Sequence, residues 1–264
     1  MKKIIITKAG GPEVMSIEEL DELTPPAGHV VVNVKATGIN FADILARKGL
    51  YPDAPATPCC VGYEFSGIVS KVGEGVDADW LETAVFGMTR FNGYATQVCV
   101  PVHQLFHKPE KLSFEQAAGI PVNYLTAWQL IIVMGSLHKT ESVLIHNAGG
   151  GVGLAALQIA KRLGAITYGT SSPEKHNFLR HQGLDHCIDY RNQDWEKELN
   201  ILTKDKGVEL IIDPLGGGHW KKSFRALRAT GRLGMFGIST AAESNLAGKL
   251  KLIKTGIQMP FFHP

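Results

Sequence analysis

The chain is short of cysteine, of charge of one sign and of long hydrophobic runs, and each shortage removes a class of protein. Only four cysteines, Cys59, Cys60, Cys99 and Cys187, stand among 264 residues. None has the paired C-x-x-C spacing of a zinc or redox site, and adjacent Cys59 and Cys60 are not expected to bridge each other. Lys and Arg total 27 against 25 Asp and Glu, a formal charge of +2 that sets up no field for gathering nucleic acid. The longest apolar run, Leu130 to Met134, is far below the ~18–20 residues needed to cross a membrane. Met1 to Thr7 carries no sustained apolar stretch or small-residue cleavage site, so it reads as a strand rather than a secretory signal. The expected address is therefore cytoplasmic, with reduced thiols.

What is present is the composition of a folded globular protein, 44% hydrophobic and 20% charged, with an excess of glycine at 29 residues. The densest basic group, Lys249, Lys251 and Lys254 around Leu250, Leu252 and Ile253, reads as the wet face of an amphipathic helix. Two textures divide the chain. Residues 1–112 carry short β-rich runs, Val30 to Val34, Gly67 to Val72 and Tyr94 to Val100, between Gly and Pro turns, the pattern of a small antiparallel domain. From residue 113 to residue 264, Ser113 with Gln116 can cap a helix, and strands and helices then alternate in βαβ rhythm. Strands are expected at Ser142 to His146, Ile166 to Thr170, His186 to Asp189, Val208 to Asp213 and Arg232 to Gly237. Helices are expected at Val152 to Leu163, Pro173 to Gln182, Asp194 to Thr203, His219 to Arg228 and Leu246 to Lys254.

The most informative stretch is Val143 to Gly153, in which a buried strand runs through Ala148, Gly149, Gly150 and Gly151 into Val152, Gly153 and a helix. Such a turn holds a dinucleotide pyrophosphate, because its amides and the positive helix end face the phosphates and glycine lets the backbone approach. Against the G-x-G-x-x-G spacing the positions are Ala148, Gly150 and Gly153, with Ala in place of the first glycine. The next strand ends in Gly169-Thr170-Ser171-Ser172, with Lys175 just beyond, and has no carboxylate for a ribose 2′-hydroxyl. Hydroxyls and a cation suit a 2′-phosphate, so Ser171 and Lys175 point to NADPH rather than NADH.

The segments Gly38-Ile39-Asn40-Phe41-Ala42-Asp43, Arg47 to Pro52, Gly62 to Gly67 and Gly150 to Gly153, taken in order, resemble the zinc-independent quinone oxidoreductases of the medium-chain dehydrogenase/reductase superfamily. Ile188-Asp189-Tyr190 and Asp213-Pro214-Leu215-Gly216-Gly217 are most similar to its vesicle amine transport protein branch. The resemblance implies an α/β chain with an N-terminal GroES-like β-rich domain and a Rossmann domain with a doubly wound parallel sheet. It also implies an NADPH-dependent reductase of quinones or other conjugated carbonyls, with Asn40 and Tyr51 beside nicotinamide and substrate and Asp43 holding the Asn40 loop. Asn-x-x-Asp is equally a capped turn, and Tyr51 beside Pro52 can simply pack. Thr126, Tyr190, Gly237 and Ser239 are implied cofactor contacts.

Zinc-dependent relatives carry a metal-binding Cys and His where this chain has Asn40 and Tyr63, so the resemblance implies a site without zinc. Relatives also continue into a sixth strand of the cofactor sheet and a return segment closing the first domain, whereas this chain ends at Phe261-Phe262-His263-Pro264. That ending reads as a C-terminal truncation, which puts the family's homodimer in doubt. A non-catalytic NADPH-binding or interaction protein on the same scaffold is the alternative reading, and no nucleic-acid or membrane partner is expected.

Overall fold

The computed structural model describes residues 1–241, which lie in two compact units, Met1–Val122 and Asn123 onward. The expected helix at Leu246 to Lys254, with its basic group, lies outside the described residues.

In the first unit, β1 (Lys2–Ile6) and β2 (Met15–Glu19) form an antiparallel pair. The main sheet is built from β3 (His29–Thr37), β4 (Glu64–Val72), β5 (Ala84–Met88), β6 (Gln97–Pro101) and β7 (Leu105–His107), all antiparallel in the order β6-β3-β4-β5-β7. Val30 and Val32 of β3 face Phe65, Val69, Val85, Val98, Val100 and Leu105, and this alternation buries one face of the sheet in an apolar core. At Gly67 a Cβ would lie 2.1 Å from the Asn33 carbonyl oxygen, so only glycine permits the close strand approach there. The helices are α1 (Phe41–Arg47) and α2 (Phe114–Ala118). α2 opens with the capping box expected from sequence: Gln116 N donates to Ser113 Oγ at 3.2 Å, and Ser113 N to Gln116 Oε1 at 2.9 Å.

α3 (Pro121–Trp128) carries the chain across the boundary between the units. The second unit alternates β8 (Ser142–Ile145), α4 (Gly151–Leu163), β9 (Ile166–Ser171), α5 (His176–His181), β10 (His186–Asp189), α6 (Trp195–Thr203), β11 (Val208–Asp213), α7 (Gly218–Arg225) and β12 (Leu227–Met235). Among the described residues its five strands are all parallel, in the order β10-β9-β8-β11-β12. The strand order therefore reverses between β8 and β11, and the carboxyl ends flanking that reversal are where open α/β sheets bind ligands. Both faces are covered. Val143, Ile145, Leu210 and Ile212 pack with Ala155, Ala156 and Leu157 of α4 and Leu179 of α5, while Leu144, Ile188 and Ile211 pack with Trp195 and Leu199 of α6.

The expected strands at His186 to Asp189 and Val208 to Asp213 stand at those bounds. Two neighbouring expectations are corrected. The helix expected to reach Arg228 ends at Arg225, and the strand expected from Arg232 begins at Leu227, because Leu227 already pairs with Val208. A register irregularity then separates that pair from Leu210↔Arg232, with Thr230 in the left-handed region at φ 65°. The helix expected over Pro173 to Gln182 divides into a tight turn, Pro173–Lys175, followed by α5.

Ile211 is fully buried on the central strand β11. Ile211→Ala is expected to lower unfolding stability by about 2–5 kcal/mol. Urea denaturation followed by circular dichroism reads the loss, and a change below ~0.5 kcal/mol would contradict this placement.

Candidate functional site

In the second unit the glycine turn is held by its own backbone. Ala148 N donates to the Thr170 carbonyl at 3.0 Å and Asn147 N to Thr170 Oγ1 at 3.3 Å, which ties the turn to the carboxyl end of β9. Asn147 sits at φ 54°, a conformation its short polar side chain tolerates. Gly150 caps α4, whose 13 residues end at the left-handed Gly164. The first amides of a helix have no intrahelical acceptors, so those of Gly151, Val152 and Gly153 converge with the positive end of the helix dipole.

The glycines of this turn serve different purposes. A Cβ on Gly153 would stand 2.3 Å from the Asn147 carbonyl oxygen and 2.8 Å from Ala148 Cα, so glycine is required for the helix to cross its own entry turn. On Gly151 a Cβ would lie 2.4 Å from Asn123 Oδ1, and on Gly150 2.7 Å from Asn147 Nδ2. Gly149 is different: its hypothetical Cβ meets only the Lys175 side chain, 2.6 Å from Cδ. Lys175 Nζ in turn donates to the Gly149 carbonyl at 3.1 Å. The structure thus brings Lys175 onto the glycine turn.

The other cofactor candidates have distinct surroundings. Ser171 is buried at the end of β9, and its hydroxyl donates to the Ser172 carbonyl at 3.3 Å. Thr126 is half-buried on α3, whose Asn123 abuts Gly151; sequence reasoning passed over Asn123 because no motif marks it. Tyr190 follows β10 and is 52% exposed. Beyond β12, Gly237 and Ser239 run along the Pro214 segment, where Ser239 N donates to the Pro214 carbonyl at 3.0 Å.

In the first unit, Asn40, Asp43 and Glu64 form one network. Asn40 caps α1, and its N–H donates to Asp43 Oδ2 at 2.8 Å. The same carboxylate accepts from Gly62 N at 3.2 Å and from the Tyr94 hydroxyl at 3.0 Å. Asp43 thus ties the Asn40 helix start to Gly62 and Tyr94, and Asn-x-x-Asp is a capped helix start. The Asn40 amide Nδ2 donates to Glu64 Oε1 at 2.8 Å, and Glu64 Oε2 accepts from Val122 N at 2.8 Å. Gly38 makes room for this, since a Cβ there would lie 2.1 Å from Glu64 Oε1. Burial pushes both carboxyls above their ordinary range, against the pull of these hydrogen bonds. Glu64, buried at 1% exposure, received no role from the sequence although it lies within Gly62-Tyr63-Glu64. Half-buried Tyr51 packs with Tyr63 and Tyr94 against Ile6, Ala46, Val61 and Phe91.

A third cluster escaped sequence reasoning. His146, Asp213 and His219 place one imidazole or carboxylate atom each within 4.8 Å of one another. They come from the end of β8, the end of β11 and the first turn of α7, with no local spacing to announce them.

Residues 26–110 match the alcohol dehydrogenase GroES-like domain, and residues 151–259 match the zinc-binding dehydrogenase domain. Quinone oxidoreductase 1 of Escherichia coli (strain K12) is 35% identical over 246 residues, which are 92% of this chain and 75% of that protein. The chain belongs to the quinone oxidoreductase family of medium-chain dehydrogenases/reductases. Within it, the synaptic vesicle membrane protein VAT-1 homolog of Rattus norvegicus is 37% identical over 253 residues, 93% of this chain and 62% of that protein. The Danio rerio homolog is covered over only 51% of its length, so the chain spans roughly half to two thirds of these relatives. The crystal structure of the Escherichia coli quinone oxidoreductase complexed with NADPH superposes with a TM-score of 0.85 at 33% identity, over 97% of this chain and 79% of that one. The human VAT-1 homolog-like protein gives 0.76 at 27% identity, over 97% and 84%. The two units are thus the GroES-like and Rossmann-type domains of this family, and among the described residues no helix is long and apolar enough to cross a membrane.

The glycine turn fits a dinucleotide, because its helix end and its crowded glycines leave backbone amides as the donors facing a phosphate. A zinc ion does not fit at Asn40 and Tyr63. The Asn40 amide is committed to Glu64, and burial first, then neighbouring Tyr51, keeps the Tyr63 phenol protonated far above its ordinary range.

Glu64 carries a pH prediction. With its folded pKa raised, the native state binds more protons than the unfolded state above pH 4.5, so stability falls as pH rises through that window. Glu64→Gln is expected to remove this contribution to the slope. At neutral pH it is also expected to cost about 1–3 kcal/mol, because an amide N–H2 then faces the Asn40 or Val122 donor. Urea unfolding at a series of pH values reads both, and an unchanged slope would refute the assignment.

Proposed function

We propose that this chain is a zinc-independent oxidoreductase that passes hydride from NADPH to a quinone or another conjugated carbonyl. The observation that carries the cofactor half is the Lys175 ammonium on the carbonyl of Gly149, in the turn that follows a strand end with no carboxylate. A 2′-phosphate adds a doubly charged acceptor that a lysine in this place pairs with, whereas NADH offers none. The NADPH-bound relative supports the same reading.

NADPH, when bound, supplies the hydride, and the chain's own residues bind, orient and exclude water. The amides at the start of α4, Gly151, Val152 and Gly153, hold the pyrophosphate, while that of Gly150 is spent on the Asn147 carbonyl at 2.9 Å. Thr126, Ser171, Tyr190, Gly237 and Ser239 are proposed as further cofactor contacts. Asn40 and Tyr51 are proposed to hydrogen-bond the acceptor oxygen, where negative charge grows as hydride arrives. Asp43 fixes the Asn40 backbone and accepts in the capping box that also engages the Asn40 side-chain oxygen, while Glu64 takes one amide hydrogen, so the second hydrogen on Asn40 Nδ2 is the donor left for the acceptor oxygen. An already electrophilic carbonyl is reduced without a Lewis acid, in keeping with the donor set at Asn40 and Tyr63. The same reading carries a cytoplasmic address and a homodimer as expectations.

A second reading, an NADPH-binding protein that turns nothing over, rests on the likeness to proteins named for a vesicle membrane rather than for a reaction. Two measurements separate the readings. NADPH oxidation is expected to accelerate on adding quinones, enals or enones, with NADH as the control. A flat response with NADPH binding intact would favour the second reading. Independently, Lys175→Glu is expected to raise the KM for NADPH by at least ~10-fold while leaving that for NADH nearly unchanged, in line with a charge-assisted contact turned repulsive. An unaltered ratio of the two would remove Lys175 from the site.

A further inference from the structure

The cluster at the reversal point of the parallel sheet has the chemistry of a metal site. His146 follows β8 and is fully enclosed, Asp213 ends β11 with its carboxylate wholly buried, and the His219 side chain, in the first turn of α7, is 19% exposed. Ser223, one turn along α7, lies between them. Its Oγ donates to Asp213 Oδ2 at 2.7 Å, stands 3.2 Å from His146 Nε2 and lies 3.5 Å from His219 Nδ1. His219 Nδ1 and Asp213 Oδ2 are 2.6 Å apart. Four donor atoms, drawn from the ends of two strands and from α7, thus lie together. In a tetrahedral zinc site, with metal–ligand distances near 2.0–2.1 Å, neighbouring donors are about 3.3 Å apart. The four distances given above run from 2.6 to 3.5 Å, and one ligand atom from each of His146, Asp213 and His219 lies within 4.8 Å of the others.

We propose that His146 Nε2, Asp213 Oδ2 and His219 Nδ1, with Ser223 Oγ as fourth donor, form a binding site for one divalent transition-metal ion of the zinc class.

The surroundings are those of a ligand set. Burial holds His146 in its neutral form, pushed down to about 3, and neutral imidazole is the form that ligates. Burial raises Asp213, but the hydrogen bonds from His219 and Ser223 and the facing imidazoles outweigh it and keep the carboxylate ionised. Each inner ligand is already fixed from outside: His146 Nδ1 pairs with Thr170 Oγ1 at 3.1 Å, and Asp213 Oδ1 accepts from Leu215 N at 2.7 Å. Such outer contacts set the tautomer and aim of metal ligands. Trp195 closes the site, stacked on His219 at 5.1 Å and edge-on to His146 at 4.6 Å between ring centroids. Partly exposed His219 provides the way in.

Proton positions balance without any change of oxidation state. In the metal-free network the hydrogens of Ser223 Oγ and His219 Nδ1 both point at Asp213 Oδ2. On binding, each imidazole moves its proton to its other nitrogen, so that His146 Nδ1 donates to Thr170 and His219 Nε2 faces outward. The Ser223 hydroxyl keeps its hydrogen and turns it away. One carboxylate and one dication leave a net charge of +1, beside the turn that is proposed to take an anionic cofactor. The ion would join the ends of β8 and β11 directly, one residue before Asn147 and one before Pro214. This inference does not rest on the quinone reductase reading, since no measurement of turnover enters its test.

The test uses the full chain, freed of metal with a chelator and titrated with Co²⁺. Expected is one Co²⁺ per chain, with the intense visible absorption of a four-coordinate ion, displaced by one equivalent of Zn²⁺. His219→Ala and Asp213→Asn are each expected to weaken Co²⁺ binding by at least ~10-fold, and His181→Ala, at an exposed position of α5, to leave it unchanged. Zn²⁺ is also expected to raise the thermal midpoint of the wild-type chain and not that of His219→Ala. Should Asp213→Asn fail to fold by circular dichroism, His219→Gln at the helix surface supplies the comparison. Absence of four-coordinate absorption, or equal affinity in a folded His219 variant, overturns the proposal.

Discussion

The crossing of α4 over its own entry turn is the constraint on which the second unit is arranged. Gly153 lets helix backbone lie where any side chain would strike the Asn147 carbonyl. Because the helix sits that close, its apolar stripe reaches Val143 and Ile145 on one face of the sheet, and its first amides stand at the strand ends. Packing and phosphate binding are therefore two results of one contact. The same geometry explains why Ala148 serves in place of the first motif glycine: its methyl is buried against the sheet, and its N–H is spent on Thr170.

Each unit also organises a loop around a buried carboxylate, and the donors decide its charge. Asp43 and Glu64 receive neutral amides and a phenol, which stabilise the anion too little to offset burial, so both are raised. Asp213 receives an imidazole and a hydroxyl with a second imidazole facing it, and it is lowered. Burial alone thus does not fix the state of a carboxyl. Loop shape follows from these choices, since Asp43 sets the start of α1 and Asp213 the course of Pro214 and Leu215.

The parallel sheet was legible because its signals are local. β10 and β11 are short runs around Ile188 and around Leu210, Ile211 and Ile212, each closed by an aspartate, and the glycine turn follows its strand directly. The ends of α7 and β12 were not legible, because they depend on Leu227 pairing with Val208 and on the left-handed Thr230, a non-glycine residue that gives no warning of such a conformation. In the site, Asn40 and Asp43 sit three apart and show themselves. Glu64 does not, because its meaning lies in an amide 24 residues away. The His146 cluster is the extreme case: Ser223 meets His146 across 77 residues, and only the strand order brings them together.

The bond from Lys175 to the Gly149 carbonyl changes how cofactor choice is to be understood. In the free chain the ammonium is already solvated by the protein, so an arriving phosphate replaces one acceptor with another. Selectivity then reflects the difference between a carbonyl and a phosphate as partners, not the full attraction of opposite charges. A difference of that kind on an exposed side chain shrinks as salt is added, which makes the ionic medium part of what determines which nicotinamide this chain prefers.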